Sequence, residues 1–436
     1  MNSTLIRRIE KRGDVIGIVV LLNLMLVFSY FNMVAIPGVL FNQLQHDLAL
    51  SSAAVALVGG LYMYIYGGMQ AFAGALVDRF GPIRVVIVGG TLLSIGSILF
   101  PLSHSITTLY ASRIVVALGA SVVFLSIVKE LDMQFSDKNF IVLLGIALTV
   151  GNLGGLMGTR PLDAAATAYG WRAAMLAIGI ACSMLVVCIA LVSRKIDRPE
   201  QERAPGNVLG PLKRIVANHL SYPVIVMYTI AFGIYFVFQA VIGKKMLQDC
   251  LHMGSAGAAV RVGVLSLIVV IGALAAGIIC RINGNRRKPM FMILTISGIL
   301  GALCGILVLK HGSVWVIPCY VLIGVSASGT SIFGSSMKEL NEPEFAGSSV
   351  GVLNGVTCVG AGGLAALAGI SLDHFATHAV RTASEVRYPS EAYMMIMIGC
   401  LVLAIVAFFC SLMVRETAGR NIWETKSPQT RETASR

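Results

Sequence analysis

Residues 126–131 read Ser-Ile-Val-Lys-Glu-Leu, and residues 335–340 read Ser-Ser-Met-Lys-Glu-Leu. The two stretches lie 209 positions apart. The same offset sets Gly151 on Gly360, Gly154 on Gly363 and Tyr30 on Gln239. One pattern therefore occurs twice, running in the same direction. A parallel repeat inside a membrane protein relates its two halves by an axis along the membrane normal.

Working outward from these copies, apolar runs fall at about 14–36, 52–76, 83–103, 106–128, 139–161 and 172–193, then at 221–243, 260–280, 290–309, 313–336, 346–370 and 392–414. Each reaches roughly the 20 residues that a transmembrane helix needs. The repeat maps the fourth run onto the tenth and the fifth onto the eleventh. The fold expected is an all-α membrane protein of twelve transmembrane helices in two six-helix pseudo-symmetric bundles. Residues 1–193 form the first bundle, 194–219 a cytoplasmic linker, 220–414 the second bundle and 415–436 a cytoplasmic tail. No cleaved signal peptide is expected, because the first run is too long and no A-x-A site follows it.

Composition agrees with this reading. Of 436 residues, 56% are hydrophobic and 12% charged, whereas roughly a quarter of a soluble chain is charged. An ordinary soluble enzyme, a disordered chain and a nucleic-acid-binding protein are excluded. The net charge of +12 reflects sidedness. With both termini in the cytoplasm, 24 of the 33 Lys and Arg fall on inner segments and 8 on outer ones, and Arg113 lies within a helix. That bias orients the chain. The nine cysteines stand singly, so no disulfide framework or metal spacing is implied. Only His374 and His378 share i,i+4 spacing, a weak metal signal. No Walker loop, H-E-x-x-H or G-x-S-x-G motif occurs. No enzyme activity, cofactor or ATP-driven pump is expected.

The segment between the second and third runs reads Gly74-Ala-Leu76-Val-Asp78-Arg79-Phe-Gly81-Pro-Ile-Arg84. It resembles motif A of the major facilitator superfamily, approximately G-x-L-x-D-R-x-G followed by basic residues, here reduced to Arg84. Tyr66-Gly-Gly-Met-Gln70, Gly170-Trp171-Arg172, Lys338-Glu339-Leu-Asn341-Glu-Pro343 and Gly347-x-x-x-Gly351-x-x-Asn354-Gly355 are similar to bacterial members, and the resemblance covers residues 14–414. It implies that Gly74, Asp78, Arg79, Gly81 and Arg84 form a cytoplasmic latch between conformations. The alternative is a solvated charged turn. The matching stretch of the second half, Arg281 to Lys288, carries no acid, so a one-sided latch is expected. Lys129 and Glu130, repeated as Lys338 and Glu339, are gate candidates. Adjacent residues on a helix do not face each other, so any partners come from other segments.

Gly151-Asn152-Leu153-Gly154-Gly155 is similar to the antiporter motif, but lacks its proline and is one residue short. Close packing through small residues competes with that reading. Gly347, Gly351 and Gly355 are expected to form a comparable packing face. Arg113 is the one charge well inside a span, which marks a functional site by default. It binds an anionic solute, sets the pKa of a proton carrier, or bonds helix carbonyls structurally. The resemblance assigns the cavity to the first, fourth, seventh and tenth helices. With Arg113 this selects Tyr30, Asn32, Tyr235 and Gln239, and buried polarity adds Asn152 and Asn354, as substrate-binding candidates. Tyr62 and Tyr66 share a helix face and are expected to pack in the core or at the interface. Lys244, Lys245, Arg261 and Arg160 flank the outer ends, either as an anion-attracting mouth or as snorkelling residues.

The function expected is secondary active transport of a small polar, anionic organic solute by alternating access, coupled to protons as a symporter. The alternative is a proton-coupled multidrug efflux antiporter, and a third class is a transporter-like sensor. The expected partners are a small-molecule substrate, a proton or other coupling ion, and the lipid bilayer, with no nucleic acid and a functional monomer. The expected location is the cell inner membrane, multi-pass.

Overall fold

No water reaches the hydrocarbon core to satisfy backbone N–H and C=O groups, so each spanning segment must bond within itself as a helix. The computed structural model describes residues 3–135, 137–194, 209–382 and 385–423. In chain order its helices are α1 (Ser3–Ala35), α2 (Phe41–Asp47), α3 (Ser52–Phe80), α4 (Pro82–Leu99), α5 (Ile106–Ala120), α6 (Val123–Gln134), α7 (Asp137–Met157), α8 (Arg160–Tyr169) and α9 (Trp171–Ser193). They continue as α10 (Leu209–Ala217), α11 (Tyr222–Phe236), α12 (Gly243–Leu251), α13 (Ser255–Ile282), α14 (Arg287–His311), α15 (Val316–Ala327), α16 (Thr330–Leu340), α17 (Ala346–His374) and α18 (Ser390–Met413). A π-helical segment, Val237–Ile242, joins α11 to α12.

Among the described residues, eleven stretches are long and apolar enough to cross a membrane. Helices α5–α6, α11–α12 and α15–α16 each act as one span, and α7 completes the expected twelve. Among the described residues, the one departure from helix and loop is a short hairpin, β1 (Val380–Arg381) paired antiparallel with β2 (Val386–Arg387). Most of the linker (195–208) and the end of the tail (424–436) lie outside the described residues.

The chain forms two compact units. One holds residues 1–40 and 61–206, the other residues 41–60 and 207–436. Segment 41–60, comprising α2 and the first turns of α3, thus clusters with the later half. Within the first unit α1 packs on α7, and α4 packs on α5 and α9. Within the second, α11 packs on α17, and α14 packs on α15 and α18. In both sets the first span meets the fifth, and the third meets the fourth and sixth. The 209-residue offset is therefore a repeat of packing as well as of sequence.

Small residues permit these contacts. A Cβ at Gly154 would sit 2.1 Å from the Val27 carbonyl oxygen of α1, and one at Gly158 would sit 2.7 Å from the Ala35 Cβ. Gly151 meets Leu26 on the same helix. Its repeat, Gly360, lies against Thr229 of α11. Gly151 and Gly154 of the antiporter-like stretch thus serve the α1–α7 contact. Gly347 and Gly351 depart from expectation: a Cβ at either would meet nothing within 4 Å, so neither is a packing glycine. Gly81, between α3 and α4, has φ 82°, and Pro82 follows as the first residue of α4. Only glycine adopts that conformation without strain, which makes the turn tight.

Candidate functional site

In the first unit the site is built on Arg113. Its side chain is fully buried on α5. Nη2 donates to the Asn32 backbone oxygen of α1 at 3.1 Å. The guanidinium carbon lies 4.9 Å from the Tyr62 ring centroid and 5.9 Å from that of Phe100. An aromatic face attracts a cation, more strongly when both are desolvated. The Tyr62 hydroxyl donates to the Ser29 carbonyl oxygen at 3.3 Å, which fixes the ring. Tyr66 stacks on it at 5.8 Å. Tyr62, expected to pack in the core or at the interface, is fully buried and lies beneath the Arg113 guanidinium. Its i,i+4 spacing to Tyr66 was the available signal, but nothing in the sequence brings that face to Arg113.

Asn32 is buried beside Arg113, yet its side chain is engaged in the helix contact. Nδ2 donates to the Phe28 carbonyl oxygen at 3.0 Å, and Oδ1 accepts from the Ser97 hydroxyl at 3.4 Å. Tyr30 is half-buried, near the place where a Gly151 Cβ would stand. Asn152 donates its amide to the Leu148 carbonyl oxygen of its own helix at 2.8 Å.

In the second unit Tyr235 is buried, with its ring 5.9 Å from that of Phe232. Gln239 is 3% exposed, and neither atom of its amide has a hydrogen-bond partner. A buried amide left unpaired costs free energy. It sits inside the π-helical Val237–Ile242 segment, and such segments concentrate at functional sites. Asn354 is half-buried on α17.

The latch and gate candidates occupy helix ends. Arg79 and Arg84 are exposed, and a Cβ at Gly74 would meet open space. The side chain of Asp78 lies outside the described residues. Glu130 is fully buried on α6, where its carboxylate accepts from Gln134 Nε2 at 3.3 Å, and Lys129 is half-buried. Lys338 is exposed and Glu339 is buried, as adjacent helical positions should be.

One charge reading gains a partner and one is corrected. The 281–288 stretch carries no acid, but one arrives from α16: Arg287 Nη2 donates to Glu339 Oε1 at 2.6 Å and Nε to Oε2 at 3.2 Å. The tail adds to this cluster. The Thr417 hydroxyl donates to Glu339 at 2.5 Å. Glu416 caps α14 by accepting from the backbone N–H groups of Arg287 and Lys288 at 2.8 and 2.9 Å. Burial alone would raise the Glu416 carboxyl, but these N–H donors hold it below the usual glutamate value of 4.5. The correction concerns Lys244 and Lys245. Expected at an open mouth or an interface, they are 3% and 1% exposed, and Lys245 pairs with Asp249 at 3.2 Å.

A protein-family model for the Major Facilitator Superfamily matches residues 22–366. The chain belongs to the Major Facilitator Superfamily. This superfamily member is 25% identical over 338 residues to monocarboxylate transporter 11 of Homo sapiens, covering 76% of this chain and 68% of that one. It is 26% identical over 175 residues to the probable sulfoacetate transporter SauU of Cupriavidus necator, covering 40% of this chain and 39% of that one. Among solved structures it resembles a bacterial homolog of the human lysosomal transporter Spinster, inward-facing and unoccupied. The TM-score is 0.71 and the identity 15%, over 95% of this chain and 99% of that one. That likeness establishes the fold. The protein is a multi-pass membrane protein of a transporter family.

Proposed function

We propose that this protein is a secondary active transporter that moves a small organic anion by alternating access, in symport with protons. Arg113 carries the reading. A charge inside a span costs at least about 2.5–3.5 kcal/mol. Two aromatic rings and the Asn32 backbone carbonyl oxygen stand beside it. A carboxylate or sulfonate matches the guanidinium fork, from which it would accept charge-assisted hydrogen bonds. The relatives named for monocarboxylate and for sulfoacetate take cargo of that chemistry.

Tyr30, Tyr235, Gln239 and Asn354 are the further substrate-binding candidates in this reading. Asn152 and Asn32 support the helices that carry them. Asp78, Arg79 and Arg84, with Lys129 and Glu130, would latch one half. Lys338 and Glu339 would serve the other, where Arg287 is the cation that meets the acid. Residues 1–193 and 220–414 act as the two moving bodies in this reading. The working unit is a monomer in the inner membrane with both termini cytoplasmic. In this reading a proton gradient supplies the energy.

A thermal-shift screen of the purified protein tests the anion preference. Short carboxylates and sulfonates should raise the melting temperature, and their neutral amides should not. Equal shifts from neutral and charged members of each pair would overturn the reading.

A further inference from the structure

Among the described residues, Lys245 and Asp249 form the ion pair whose two side chains are both at most 1% exposed. They stand one turn apart on α12, where the seventh span ends, and hold groups from three other parts of the second unit. Lys245 Nζ donates to Asn42 Oδ1 of α2 at 2.8 Å and to the Val386 carbonyl oxygen of β2 at 2.5 Å. It also lies 5.7 Å over the Phe41 ring and 5.4 Å over the Tyr388 ring. Asp249 Oδ2 accepts from the Tyr393 hydroxyl of α18 at 2.7 Å and from the Tyr388 backbone N–H at 3.0 Å.

A second layer backs the first. The Tyr388 hydroxyl accepts from Gln45 Nε2 at 3.0 Å and from the Ser52 hydroxyl at 2.7 Å. Burial raises the Tyr388 phenol above its ordinary value, so it stays neutral. The Asp373 carboxylate, at the end of α17, accepts from the backbone N–H groups of Ser52 and Ala53 at 2.7 and 2.9 Å. It thereby caps the start of α3, where a carboxylate also complements the helix dipole.

Everything gripped from the early part of the chain lies in residues 41–53. That segment precedes Leu61 in sequence but clusters with the second unit. Helix α3 runs unbroken from Ser52 to Phe80, so the gripped segment is continuous along the chain with residues of the first unit. A desolvated ion pair is a poor source of net stability compared with apolar side chains of the same size. Its better-attested use is to fix one arrangement of elements against another.

We propose that Lys245 and Asp249 are positioning residues of the transport cycle: they clasp segment 41–53 to the second unit and set how often it is released. The link to transport rests on the alternating-access reading above. The clasp itself does not, and it can be read without any solute.

The test is the labelling rate of Ser52→Cys by a maleimide in purified protein carrying Cys250→Ser, followed by peptide mapping. Ser52 is fully buried at the clasp, and Ser349, equally buried at the start of α17, serves as a control position when changed to Cys. Asp249→Asn should speed labelling at Ser52→Cys by about tenfold, the order expected when a charge-assisted contact is lost. Because that variant leaves Lys245 without its counter-charge, Lys245→Met with Asp249→Leu is made in parallel. This neutral pair keeps the bulk without the charges. Faster labelling at Ser52→Cys with an unchanged rate at Ser349→Cys supports the clasp. Equal acceleration at both positions, or no change at Ser52→Cys in the folded double variant, overturns it. If the clasp result holds while no solute is carried, the transport reading fails alone.

Discussion

Glu339 and Arg287 meet at 2.6 Å, joining the last turn of α16 to the first residue of α14. The two are 52 residues apart in sequence. Each side chain is 11% exposed, so water screens the pair only in part. Glu339→Gln removes the charge and leaves the guanidinium half-satisfied. The expected loss is about 1–3 kcal/mol of stability, seen as a lower melting temperature in detergent. Exposed Lys338→Gln should stay within about 0.5 kcal/mol. Equal effects from the two changes would contradict the placement.

Glu416 gives this corner a pH dependence. Its folded carboxyl titrates below the unfolded value, because backbone N–H donors outweigh burial. A group depressed in the folded state contributes stability above the unfolded pKa, and that contribution is lost as pH falls through the folded one. The loss should begin near pH 4.5 and deepen below it. Melting temperature measured from pH 6 to about pH 3 should therefore fall less steeply in Glu416→Gln than in the parent. Parallel curves would remove the cap.

Arg113→Ala should weaken binding of a carboxylate or sulfonate by about ten- to a hundredfold, the worth of a charge-assisted hydrogen bond. Arg113→Lys should retain part of it, since a point charge replaces a planar fork. Isothermal titration of folded variants reads both. Unchanged affinity in Arg113→Ala would reduce the guanidinium to its structural bond with Asn32.

Gln239 separates binding from stability. Both of its amide atoms are buried without a partner. Gln239→Leu relieves that cost, so its melting temperature should equal or exceed the parent's. Its affinity for solute should fall. A variant that melts earlier and binds normally would mean that the amide serves the fold.

Two glycines distinguish packing from open space. Gly154→Ala drives a methyl group toward the Val27 carbonyl oxygen, a backbone atom that cannot rotate away. A cost of about 1–3 kcal/mol is expected. Gly347→Ala meets nothing and should be neutral or mildly stabilising, as alanine is in a helix. Thermal unfolding of the two variants side by side checks the contrast.

The helices were legible because apolar length is a one-dimensional property. The two-fold repeat was legible because Lys-Glu-Leu and its glycines recur at one offset, and the packing of α1 on α7 and α11 on α17 follows it. Arg113 stood out because a charge in an apolar run needs a reason. Side-chain partners were less legible. Nothing in the run from Arg281 to Lys288 points to Glu339, and nothing near Lys245 points to Asn42, some 200 positions earlier. Asp249 is not legible in the sequence because it stands in a polar stretch that looks like a loop, whereas α12 continues the seventh span through it. Gly347 and Gly351 show the opposite error: regular spacing resembled a packing face where no neighbour stands.

The central claim is that an organic anion is accumulated at the expense of a proton gradient. Its most direct test is uptake of a mixture of short carboxylates, sulfonates and their neutral amides into proteoliposomes, read by mass spectrometry with and without an inward proton gradient. The account predicts gradient-dependent accumulation of one or more anions, no accumulation of the amides, and loss of the signal in Arg113→Ala. Absence of anion accumulation in the parent, together with gradient-driven expulsion of a lipophilic dye, would contradict it.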